Sequence, residues 1–177
     1  MSVVRSSGST VIRGTGTLNN VELRNLTVFN PGTAQGFDAA VTLTSVTGTL
    51  TVRNAALFVA ATTSVMVLYT LSSNVNLVDT TVRSGVADNL GFGLLAEGTS
   101  VVRVTGGALG SNLAVRAFDS TRVFISGASV EGFPDSAIVN PAAKVAITAS
   151  MIFAGVGGPV TCVASFDENL APLAGCV

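Results

Sequence analysis

VELRNLTV, residues Val21 to Val28, carries the pattern apolar-x-apolar-x-x-x-x-apolar, which returns five more times along the chain. The further copies are LTVRNAAL from Leu50, VNLVDTTV from Val75, VRVTGGAL from Val102, VFISGASV from Val123 and VAITASMI from Val145. Their starts lie 29, 25, 27, 21 and 22 residues apart. A fixed unit with loose spacing marks a solenoid, in which each copy belongs to one coil and insertions collect in loops.

Within each copy the first and third residues are apolar while the second varies, through Glu22, Thr51, Asn76, Arg103, Phe124 and Ala146. That is the period-two alternation of a strand with one buried face. The fifth residue is Asn25, Asn54, Asp79, Gly106, Gly127 or Ala149. All but the last are types that tolerate a left-handed backbone, so this column reads as a corner. Stacked about 4.8 Å apart, Asn25, Asn54 and Asp79 are expected to form a side-chain ladder along it. The eighth residue, always Val, Leu or Ile, begins the next buried strand. A third strand is expected in AVTLTS from Ala40, SVMVLYT from Ser64, GFGLLAE from Gly91, NLAVRAF from Asn112, SAIVN from Ser136 and PVTCVAS from Pro159. The short polar turns that follow bring Ser and Thr hydroxyls within reach of neighbouring coils. No stretch has helical periodicity.

This layout resembles the right-handed parallel β-helix, or pectate-lyase-like, superfamily in its coil length and its Asn-bearing corner, over about residues 18–164. The resemblance implies an all-β, right-handed parallel β-helix solenoid of about six to seven three-strand coils. A single domain is expected, with residues 1–17 as N-terminal cap, 18–164 as coils and 165–177 as a C-terminal tail capping one end. The catalytic motifs of that superfamily are not present. A left-handed hexapeptide helix fits less well, because no six-residue period exists, and a β-sandwich does not explain a repeating corner column.

Composition narrows the chemistry. The chain has 177 residues, of which 48% are hydrophobic and only 11% charged, with a formal net charge of −1. Nothing in that balance suggests nucleic acid as a partner. There is no His, so Ser-His-Asp and Cys-His constellations cannot be built, and no metal or cofactor site is expected. No charged segment followed by an apolar run marks a signal peptide at the N-terminus. Residues 55–71 approach transmembrane length but contain three Thr and a Ser and read as strand, turn, strand, so no membrane span is expected. Cys162 and Cys176, the only cysteines, lie beyond the last copy. A disulfide between them would stabilise by about 3 kcal/mol in the chain-entropy model and would imply a secreted or cell-surface protein. Two buried free thiols are the alternative.

Enzymes of the superfamily work on acidic polysaccharides with clustered carboxylates, so convergence of Asp and Glu is the useful test. Glu97 lies five residues before Val102 and Asp119 four before Val123, in adjacent columns one coil apart, with Arg116 and Arg122 flanking Asp119. Such a pair, about 5 to 7 Å apart, could serve glycoside hydrolysis; the plainer reading is a solvated turn with a local ion pair. Asp88 and Asp135 fall in expected turns. Arg24 and Arg53 share the fourth position of successive copies, a modest basic patch able to meet an anionic sugar or simply to cover apolar surface with its stems. Asn25-Leu26-Thr27 matches a glycosylation acceptor on the corner itself. The outward columns lack the continuous Thr runs that an ice-binding face needs. At the ends, the C-terminal segment carries Phe166, Leu170 and Leu173 to lie across the last coil, whereas the N-terminal segment is polar and thin. Exposed Phe58, Val78 and Phe124 could join copies side by side. The sequence therefore points to a non-catalytic structural or binding module that forms a homo-oligomer, with a glycan-binding or glycan-cleaving surface at Glu97 and Asp119 as the alternative.

Overall fold

The computed structural model describes residues 2–6, 8–32, 38–60, 64–85, 91–133, 135–167 and 169–173. The described chain is all-β and winds as a parallel solenoid. Its first coils contain β1 (Ser2–Arg5), β2 (Thr10–Thr17), β3 (Val21–Arg24), β4 (Leu26–Asn30), β5 (Ala39–Thr47), β6 (Thr49–Arg53), β7 (Ala56–Val59), β8 (Val65–Leu71) and β9 (Asn74–Val78). The middle coils contain β10 (Thr81–Ser84), β11 (Gly91–Glu97), β12 (Val101–Thr105), β13 (Ala108–Gly110), β14 (Leu113–Ala117) and β15 (Arg122–Ser126). The last contain β16 (Ser129–Glu131), β17 (Asp135–Val139), β18 (Lys144–Thr148), β19 (Met151–Ile152), β20 (Gly155–Gly157) and β21 (Val160–Val163).

Every third strand stacks on its predecessor. The result is three seven-stranded parallel sheets: a first sheet β1-β4-β7-β10-β13-β16-β19, a second β2-β5-β8-β11-β14-β17-β20 and a third β3-β6-β9-β12-β15-β18-β21. The six sequence copies are β3, β6, β9, β12, β15 and β18 with the strands that follow them, in unbroken register from Val21 opposite Leu50 to Ile125 opposite Ile147. Their first, third and eighth residues make continuous inward columns. Val52, Leu77, Val104, Ile125 and Ile147 form one, and Val28, Leu57, Val82, Leu109, Val130 and Ile152 another, each no more than 3% exposed. Residues 55–71, rejected as a membrane span, contribute β7 and β8, and no helix among the described residues is long and apolar enough to cross a membrane.

The corner column behaves as its residue types require. Asn25, Asn54, Asp79, Gly106, Gly127 and Ala149 have φ of 55, 48, 48, 68, 61 and 47°. Each corner N–H donates to the carbonyl before the next corner, as from Asn25 to Arg53 (3.1 Å), Asn54 to Val78 (3.0 Å) and Asp79 to Thr105 (2.8 Å). The ladder thus runs through the backbone, while the side chains of Asn25, Asn54 and Asp79 are exposed. Just inside the corner, buried hydroxyls close the remaining carbonyls: Thr80 Oγ1 donates to Val52 and Val78, both at 3.0 Å. A second hydroxyl column precedes the third sheet. Ser100 Oγ accepts from the Ser73 N–H (3.2 Å), Ser73 Oγ accepts from the Val46 N–H (3.1 Å), and both donate to turn carbonyls.

Three stretches differ from expectation. PVTCVAS from Pro159 is not a third strand but a seventh member of the third sheet, with Val160 opposite Val145 and Cys162 opposite Ile147. Counted from Val160, the fifth residue, Ala164, takes the corner φ of 50°, and the short β20 supplies the second sheet. The segment 1–17, expected as a cap, provides β1 and β2, which continue two sheets at one end. Asp135 opens β17 instead of lying in a turn, and Asp88 is outside the described residues. At the opposite end the tail does cross the stack: Phe166 bridges Met151 on one side and Pro172 on the other, and Leu173 packs against the core.

Gly127 has no atom within 4 Å of where a Cβ would stand. Gly127→Ala should therefore cost only the left-handed backbone penalty, about 1 kcal/mol. Ala149→Gly should move the other way by a smaller amount, roughly 0.5 kcal/mol after the added freedom of the unfolded chain. Urea unfolding at unchanged slope measures both, and equal or same-signed shifts would contradict a strained corner.

A candidate binding groove on the second sheet

The outer face of the second sheet breaks the solenoid's polar-outside rule. GFGLLAE of β11 is apolar on both faces, so Phe92 and Leu95 stand outside the coil yet are 6% exposed, joined by Leu113 at 8%. Parallel register sets their neighbours: Met66 lies opposite Phe92, Tyr69 opposite Leu95, and Leu95 opposite Arg116. Phe118, just beyond β14, completes the cluster. All of these but Leu113, together with Glu97, line an open groove of about 470 Å³.

Arg116 lies within it between two aromatic rings, its guanidinium carbon 5.1 Å from the centre of Phe92 and 4.6 Å from that of Phe118. Such contacts contribute about 0.5 to 2 kcal/mol, more as the site is desolvated. Its Nε is buried without a hydrogen-bond partner among the described residues. Glu97, in the same groove, pairs with a phenol: its Oε2 accepts the Tyr69 hydroxyl at 2.9 Å. Burial raises the Tyr69 pKa first, and the Glu97 hydrogen bond and charge add to it, pushing it up to about 12.

The structure gives the residues that the sequence grouped different partners. Asp119 does sit one coil from Glu97, but at a corner with φ of 56°, where its Oδ2 accepts the Gly98 N–H at 2.9 Å. Its carboxylate is thus held at the turn by a backbone N–H, while that of Glu97 is held by a phenol. Arg116 and Arg122, on either side of Asp119 in the chain, lie on different sheets. The strand carrying Arg116 ends before the corner, so Arg122, which opens β15, belongs to the third sheet. Arg24 and Arg53 are neighbours in register as expected, with Arg53 Nε 3.2 Å from Glu22 Oε1 in an exposed ion pair, a contact worth at most about 1 kcal/mol. Cys162 is on β21, and Cys176 lies outside the described residues.

Sequence reasoning passed over Tyr69, Phe92 and Phe118. The available signal was the loss of alternation in GFGLLAE, which reads as a strand buried on both sides. No family model, curated protein or solved structure matches the chain. No group of three or more His, Cys, Asp or Glu able to hold a metal occurs among the described residues. What the groove offers chemically is recognition: aromatic faces, one unpaired guanidinium and a carboxylate–phenol pair.

Tyr69 is the only tyrosine, so its phenolate absorbance reports one group. The folded state holds that proton more tightly than the unfolded chain, whose tyrosine titrates near 10. The associated stability is complete below pH 10 and is lost as pH rises toward about 12. Spectrophotometric titration should find a midpoint near 12 that falls in Glu97→Gln, and the decline of thermal midpoint above pH 10 should flatten in Tyr69→Phe. An ordinary tyrosine midpoint in the folded wild type would refute the Tyr69–Glu97 bond.

Proposed function

We propose that the chain is a non-catalytic structural or binding β-solenoid module that acts outside the cell and self-associates, on the plan of the right-handed parallel β-helix superfamily. One observation carries the self-association: an open, partly apolar strand edge at one end of the described stack, the other end being crossed in part by the tail. At one end β1, β2 and β3 each have a neighbour on one side only, and Val3, Val4 and Val21 are 66, 39 and 38% exposed. Unpaired parallel edges with exposed apolar side chains invite pairing with a second copy. At the other end Phe166 and Leu173 lie across the stack, and the Phe166 and Ile152 backbones bond into it at 2.9 and 2.8 Å. The non-catalytic part rests on the partners of the two carboxylates, since Glu97 accepts from the Tyr69 hydroxyl and Asp119 from the Gly98 N–H. A Cys162–Cys176 disulfide belongs to the same reading, as a clasp on the tail in an oxidising compartment.

The groove of the second sheet favours a second reading, glycan binding. Aromatic faces stack on sugar rings, and Glu97, Tyr69 and Arg116 can meet hydroxyls or an acidic substituent. Cleavage at Glu97 and Asp119 would be its catalytic form, and turnover abolished by Glu97→Gln and Asp119→Asn would establish it.

Light scattering across a concentration series tests the main proposal. The average mass should rise with concentration, and a Val3→Lys, Val21→Lys double variant should hold the monomer mass with an unchanged far-ultraviolet spectrum. A wild type that stays monomeric at all accessible concentrations would overturn self-association and leave the glycan screen, with Phe118→Ala as the discriminating variant. Intact mass with and without reductant should differ by two hydrogen atoms if the clasp forms.

A further inference from the structure

The outer face of the third sheet turns basic in its last coils. Arg103 on β12, Arg122 on β15 and Lys144 on β18 are all exposed, and they make up three of the chain's nine cations. Arg122 and Lys144 are direct partners on neighbouring parallel strands, so their stems begin about 4.8 Å apart. The strands β9, β12, β15, β18 and β21 contain no Asp or Glu at all. At the other end of the same sheet Arg53 has Glu22, but the turn carboxylate nearest to Arg122 in sequence, Asp119, is engaged by the Gly98 N–H. Like charges placed side by side destabilise a sheet, and on a chain of net charge −1 this local excess of cations is a feature that folding alone does not ask for.

Shape supplies a second, independent observation. Phe124 is 42% exposed, and the Arg103 guanidinium carbon lies over its ring, 5.6 Å from the centre. On the opposite side its partner is Ala146, followed by Thr161, so small side chains leave that side of the ring open. The space is a groove of about 680 Å³ lined by Arg122, Phe124, Pro141, Lys144, Ala146 and Pro159 among others. That volume falls within the range of roughly 300 to 1,000 Å³ typical of small-molecule sites. The row of cations is short. In register it reads Asn74, Val101, Arg122, Lys144, so two positive charges stand together and the row is neutral before them.

We propose that this groove binds a nucleoside diphosphate, with the base on the open side of Phe124 and the two phosphates on Arg122 and Lys144. An aromatic base stacks on a phenyl face, the guanidinium fork matches phosphate oxygens in pairs, and the ammonium meets the second phosphate as a point charge. The shortness of the cation row selects a small ligand with two adjacent anionic groups over a long polyanion, for which a charged track would have to continue along the stack.

Calorimetric titration with ADP, adenosine and inorganic pyrophosphate separates the parts. ADP should bind, adenosine should bind at least about tenfold more weakly, and Arg122→Gln or Lys144→Gln should each weaken ADP about tenfold or more, as expected for loss of a charged hydrogen bond. Phe124→Ala should weaken ADP while leaving pyrophosphate unchanged, and ADP affinity should fall as salt is raised. All three side chains are exposed, so unchanged thermal midpoints will show that the variants fold. No ADP binding at millimolar concentration, or ADP binding indifferent to the Arg122→Gln, Lys144→Gln double variant, overturns the site. Pyrophosphate binding as tightly as ADP, with Phe124→Ala without effect, overturns the assignment of the base.

Discussion

The backbone at one corner sets the rest of this solenoid. In every coil the residue that follows the third-sheet strand takes a left-handed conformation, with φ from 47 to 68°. The turn directs the eighth residue of each copy inward, where Val28, Leu57, Val82, Leu109, Val130 and Ile152 stack. It also aligns the corner N–H with the carbonyl of the adjacent coil, so the hydrogen-bond ladder passes from third sheet to first without a break. Asn, Asp and Gly accept the conformation at little cost; Ala149 and Ala164 do not, and each gives up about 1 kcal/mol there. Both are followed by a buried serine, Ser150 or Ser165, whose hydroxyl donates back to the carbonyl two residues earlier and offsets part of that strain.

Buried hydroxyls explain how a chain with 11% charged residues satisfies its turns. A solenoid has corners inside as well as out, and water does not reach the carbonyls that point inward. Ser73, Ser100, Thr80, Ser150 and Ser165 occupy those positions, none more than 3% exposed. Each hydroxyl donates to a turn carbonyl, and several also accept an N–H from the coil below. A hydroxyl can do both in a space that would not hold a larger polar group. Stability then accumulates from one coil to the next, each depending on its immediate neighbours.

The fold was legible because its decisive residues recur. The two inward columns of the third sheet and the corner appear in six copies, and their spacing to the next copy is enough to place each on a coil. The last coil escaped because it is short: Val160 follows Val145 by 15 residues, which leaves only β20 for the second sheet, and its fifth residue is Ala. The groove was less legible. Tyr69, Leu95 and Arg116 come together only through parallel register, with separations of 26 and 21 residues that depend on loop length and not on any repeated motif. Spacing did place Glu97 and Asp119 on adjacent coils, yet it could not say which way a carboxylate would turn. A corner Asp beside a free backbone N–H turns to that N–H, and a Glu beside a buried phenol turns to the phenol.

The three outer faces show how little the inside dictates the outside. On the first sheet Arg5, Phe29, Phe58 and Arg83 lie in one register column, the two rings stacked 5.6 Å apart with Arg5 over Phe29. Gly110 follows Arg83 in that column, and because it has no side chain the guanidinium passes over it to Glu131 on the next strand. The second sheet gathers aromatic rings around one unpaired arginine, and the third leaves two cations side by side. In the first arrangement each cation has a partner, Arg83 a carboxylate and Arg5 an aromatic ring. The other two leave groups unsatisfied that the backbone ladder and the inward columns would hold equally well without. In a fold whose stability is set along its axis, such uncompensated groups on the strands are where a binding function has room to reside.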